Sequence, residues 1–116
     1  MTDRELLELA AKAAGNDVEF HGEMPWFASG KRPWNPLTND SDALRLAVEL
    51  EIDIAFTNTH SPQVHARAAY KVACIEYEVA CIEYKVACIE DRELGTYAAT
   101  RRAIVRAAAE IGRGME

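Results

Sequence analysis

The chain is short of several things, and each shortage excludes a class of protein. It has no apolar run near the 18 residues that a membrane-spanning helix requires. Its start, Met1-Thr2-Asp3-Arg4-Glu5, lacks the basic and apolar regions of a secretion signal. Both absences point to a soluble, intracellular protein without a membrane partner. There are only three cysteines, Cys74, Cys81 and Cys88, an odd number with no C-x-x-C among them. Neither a disulfide framework nor a zinc knuckle is supported by that pattern. Positive charge is also in deficit: 13 Lys and Arg against 19 Asp and Glu give a net charge of −6. A generic binder of nucleic acid or anionic membrane needs a basic face, so nucleic acid is disfavoured as a partner.

Catalytic and cofactor signatures are missing as well. His21, His60 and His65 have neither H-x-x-H nor H-E-x-x-H spacing, so no metal is expected. No serine lies in G-x-S-x-G, and the scattered glycines match no phosphate-cradling loop. Asp40 and Asp42 resemble a carboxylate pair, yet both sit at a helix start, where acids are favoured by the helix dipole. The expectation is a protein that is not an enzyme and uses no cofactor.

What is present is one domain's worth of chain: 116 residues, 49% hydrophobic, enough for a single core. Residues 2–14 predict a helix, with Thr2 and Glu5 as a capping box, Gly15 as the terminator and a buried stripe of Leu6, Leu9, Ala10 and Ala13. Residues 17–22 alternate as a short strand, and 26–28 supply a hairpin partner, which Pro25 confines to an edge or a strand start. The loop from Gly30 to Asp40 is expected to be ordered, because Trp34 must be buried. A second helix spans 40–50, capped by Asn39 or Ser41, with Leu44, Ala47, Val48 and Leu50 inward. Residues 52–58 alternate as a strand with Ile52, Ile54 and Phe56 inward. The last helix covers 97–111, capped by Thr96 and stopped by Gly112, with Ala99, Ala103, Ile104, Ala107, Ala108 and Ile111 as its apolar face. The expected class is α+β: helix, β-hairpin, helix, strand, a repeat segment, helix.

That repeat, residues 72–90, consists of three near-identical copies of a heptad beginning at Val72, Val79 and Val86, the third holding its first five residues. Two conformations compete for it. Val, Cys, Ile and Tyr favour a strand, and 64–74 alternates as one. An odd period, however, reverses the in/out face at every copy. An unbroken strand over 64–90 would be about 90 Å long, against a radius of gyration of about 13 Å for a domain of this size. A helix starting at Ser61-Pro62 puts Val72, Val79 and Val86 at position a and Ile75, Ile82 and Ile89 at d, a seam suited to self-association or to packing within the chain. The length limit favours the helix; bulged or broken strands are the alternative.

Two surfaces invite contact. One is the aromatic and proline loop with its acidic neighbours: Trp26, Phe27, Pro33, Trp34, Asn35, Pro36, Asp40 and Asp42. It is either a lid closing the core or a protein-docking patch. It belongs to an acidic half, since residues 1–58 hold 11 acids and 5 bases whereas 59–116 hold 8 of each. The other is formed by Arg101, Arg102, Arg106 and Arg113 on the final helix, either a solvated face or a contact for an acidic partner or phosphate backbone.

The stretches Trp34-Asn35-Pro36-Leu37-Thr38-Asn39-Asp40-Ser41-Asp42-Ala43-Leu44-Arg45-Leu46 and Tyr97-Ala98-Ala99-Thr100-Arg101-Arg102-Ala103-Ile104-Val105 resemble the small NinX-like accessory proteins of tailed bacteriophages. The triple heptad departs from that pattern, in which a single short strand is expected. The resemblance implies a phage protein acting in the bacterial cytoplasm by binding a host or defence protein, in the manner of an anti-CRISPR inhibitor. It carries over no catalytic residue. A nucleic-acid-associated regulator using the arginine helix and a self-associating structural module are the other readings.

Overall fold

The computed structural model of the chain describes residues 2–30, 32–57, 63–68, 89–91 and 95–115. In chain order these form α1 (Asp3–Ala14), β1 (Val18–His21), β2 (Met24–Phe27), α2 (Asp40–Glu49), β3 (Ile52–Thr57), β4 (Gln63–Ala68), β5 (Ile89–Asp91) and α3 (Thr96–Gly114). The class is α+β. β1 and β2 make an antiparallel hairpin, and β3-β4-β5 make a separate antiparallel sheet with β4 at its centre.

α1 begins as its capping residues dictate. The Glu5 N–H donates to Thr2 Oγ1 (3.1 Å), and the Thr2 N–H donates to Glu5 Oε1 (3.0 Å). The Glu5 carboxyl is held below the usual glutamate range, chiefly by the Thr2 backbone N–H that it accepts and next by hydrogen bonding with the Thr2 side chain. Gly15 ends the helix in the left-handed conformation (φ 72°).

Most of the core is built on α3, which packs against α1, α2 and the larger sheet. All six residues expected on its apolar face are buried, and Val105 and Ala109 are buried with them. Alanines dominate because small side chains let neighbouring backbones come close. The expected stop at Gly112 is corrected: the helix runs on to Gly114, and Gly112 is a contact residue. A Cβ placed there would lie 2.0 Å from the Leu9 carbonyl oxygen of α1, so only glycine permits this crossing. The start also differs. Gly95 takes the N-cap position without a side-chain bond, and Thr96 is already inside the helix.

Both shorter helices are rotated from the expected phase. In α1 the fully buried residues are Leu6, Leu7, Ala10 and Ala11, with Leu9 and Ala13 only half-buried. In α2 they are Asp42, Ala43, Leu46 and Ala47, whereas Leu44 and Val48 are 61% and 67% exposed. The rotation of α2 accompanies the seating of the Asp42 carboxylate under the loop before it. At the β3 end, Ile52 is buried as expected, but Phe56 is exposed at the mouth of a cleft.

The strand β4 over 63–68 and the strand β5 over 89–91 replace the expected helix at both described edges of the repeat region. Val64 pairs with Phe56 on one side and Glu90 on the other. Residues 69–88 lie outside the described residues. They include all three cysteines and Val72, Ile75, Val79, Ile82 and Val86 of the proposed seam, whose last member, Ile89, opens β5. His60 and the expected helix start at Ser61-Pro62 also lie outside.

Candidate functional site: an apolar cleft beside the capped loop

The loop before α2 folds on its own side chains. Asn35 Oδ1 accepts the Leu37 N–H (3.0 Å), an Asx turn, and the Asn35 carbonyl accepts the N–H groups of Thr38 and Asn39 (3.1 and 2.9 Å). Asn39 caps α2 by accepting the Asp42 N–H (3.0 Å). Asp42, only 3% exposed, is satisfied from two directions. Its Oδ2 accepts the Asn35 N–H (3.0 Å), and its Oδ1 accepts Arg32 Nη1 (3.0 Å). The Arg32 guanidinium also lies over the Phe27 ring, 4.7 Å from its centroid. The Trp34 N–H donates to the Pro25 carbonyl (2.9 Å), which ties the loop to β2.

This geometry divides the expected docking loop in two. Trp34 and Pro36 are interior residues, and Asp42 is turned inward as the loop's clasp. Outward lie Pro33 and Asp40, with Trp26, Phe27 and Asn35 half-buried. On the hairpin, Trp26 stacks with His21, their ring centroids 5.7 Å apart and planes inclined by 19°.

The arginines of α3 are engaged within the chain. Arg101 donates from Nε to the Leu37 carbonyl (2.8 Å) and from Nη1 to Asp40 (2.6 Å), locking the end of the loop to α3. Arg102 donates to Asp3 at the start of α1 (3.1 Å), and Arg113 pairs with Glu110 (3.3 Å). Arg106 is half-buried and has partners of its own. The acids in the first turns of two helices thus meet the basic side chains of the third.

Beside the Arg101–Asp40 pair opens a cleft of about 440 Å³ between α2, β3 and α3. Ala43 and Leu44 form one wall, Ile54 and Phe56 the second, and Tyr97, Thr100 and Ile104 the third. Its surface is almost wholly apolar, and its rim carries large exposed side chains: Leu44 at 61% and Tyr97 at 76%. Of these lining residues, only Asp40 and Arg101 belong to the groups expected from sequence to make contacts. Periodicity alone places Leu44 and Phe56 in the core; their exposure follows from the rotation of α2 and the outward end of β3. The signal that could have found them is the second apolar stripe of α2, Leu44 and Val48, four residues apart. A second, polar cleft lies between α1 and β1, lined by Arg4, Glu8, Lys12, Asn16 and Asp17.

Among the described residues no three His, Cys, Asp or Glu side chains are placed to hold a metal ion, and no helix is long and apolar enough to cross a membrane. No family model, curated protein or solved structure matches the chain.

Proposed function

We propose that this chain is a non-catalytic binding protein that engages a partner protein through the apolar cleft between α2, β3 and α3. The observation that carries this reading is the cleft's rim, where Leu44 and Tyr97 hold large apolar surface in water beside a concave apolar floor. Contiguous apolar surface of that kind is costly to leave exposed and marks contact sites. Aromatic rings are the side chains that most often dominate binding energy once they are covered. The Arg101–Asp40 pair at one end supplies a polar edge, as protein interfaces commonly have at their rims. In its fuller form, drawn from the resemblance at 34–46 and 97–105, the proposal makes the partner a bacterial host or defence protein met in the cytoplasm and inhibited by occupation.

The test is an affinity capture from bacterial lysate with the full chain and with the Tyr97→Asp and Leu44→Asp variants. A stoichiometric partner retained by the parent and lost by both variants is the expected result. Capture of nothing, or equal capture by all three, removes the proposal.

A further inference from the structure

No further inference is drawn: the strongest candidate, the apolar cleft between α2, β3 and α3 taken as the seat of one particular occupant, belongs to the site already described, and nothing in the structure shows what covers it.

Discussion

Single residues decide the local structure more sharply than their composition suggests, and three of them can be tested directly. Gly112 sits inside a helix, where alanine is ordinarily favoured by about 1 kcal/mol. Here the Leu9 carbonyl occupies the space of a Cβ, and the obstacle is backbone that cannot swing aside. Gly112→Ala should therefore reverse the usual sign and destabilise by about 1–3 kcal/mol in chemical denaturation, the usual cost of overpacking. Asp42 is the second. Asp42→Ala removes the acceptor of the Asn35 N–H and strands Arg32, with an expected loss of about 1–3 kcal/mol. Because Arg32 is half exposed and water can solvate it, the unsatisfied backbone donor carries most of that loss. The third is Glu5, whose carboxyl is held low by Thr2. A depressed folded-state pKa means stability that is complete above the ordinary glutamate value of about 4.3 and is lost as pH falls through the lowered value. The stability difference between the parent and Glu5→Gln should accordingly be largest near neutral pH and vanish in acid. A difference that persists unchanged at low pH contradicts the capping assignment.

Elements show where sequence was a sufficient guide and where it was not. The bounds of α1, though not its phase, are legible because its start and stop are chemical: Thr2, Glu5 and Gly15 each satisfy a specific backbone group. The hairpin and the burial of Trp34 were legible for the same kind of reason, alternation in one case and a large indole in the other. The phase of α2 was not. Its sequence carries two overlapping apolar stripes, Ala43-Leu46-Ala47 and Leu44-Ala47-Val48, which helical periodicity ranks almost equally. The clasp between Asp42 and the preceding loop goes with the first, and such a contact between distinct segments has no trace in periodicity. Two substitutions separate the faces. Leu46→Ala should cost about 2–5 kcal/mol, as for any fully buried leucine, whereas Leu44→Ala should change stability by no more than about 0.5 kcal/mol. Equal losses at both positions contradict the observed rotation. At the flanks of the repeat, the described residues follow the strand alternative rather than the helix. The heptad spacing suits a coiled-coil seam, but β4 and β5 at its described edges gain their hydrogen bonds from neighbouring strands, which heptad spacing does not register.

At the scale of the whole molecule, the net charge of −6 is unevenly screened, because acids at the starts of α1 and α2 are matched by Arg102 and Arg101 of α3. Exposed pairs of this sort contribute about 0–1 kcal/mol each, so their effect is to orient the helices more than to hold them. The cleft itself lies on the outside of that scaffold. Tyr97→Asp should abolish partner capture while leaving the denaturation midpoint almost unmoved, since Tyr97 is 76% exposed and a carboxylate in the first turn of a helix is tolerated. A variant that loses capture only by unfolding would show a lowered midpoint instead. Asp40, Arg101 and the outer stripe of α2 are visible in the sequence, but the cleft they help form is not, because its walls come from residues 40–56 and 97–104 and meet only through the tertiary fold.

That long separation has a consequence for any molecule that grips the cleft. Arg101 reaches back 64 residues to the Leu37 carbonyl, so the lip closes only after the last helix has been synthesised and docked. A chain still emerging from the ribosome, or one clipped ahead of Gly95, would have the α2 and β3 walls of the cleft without the α3 wall.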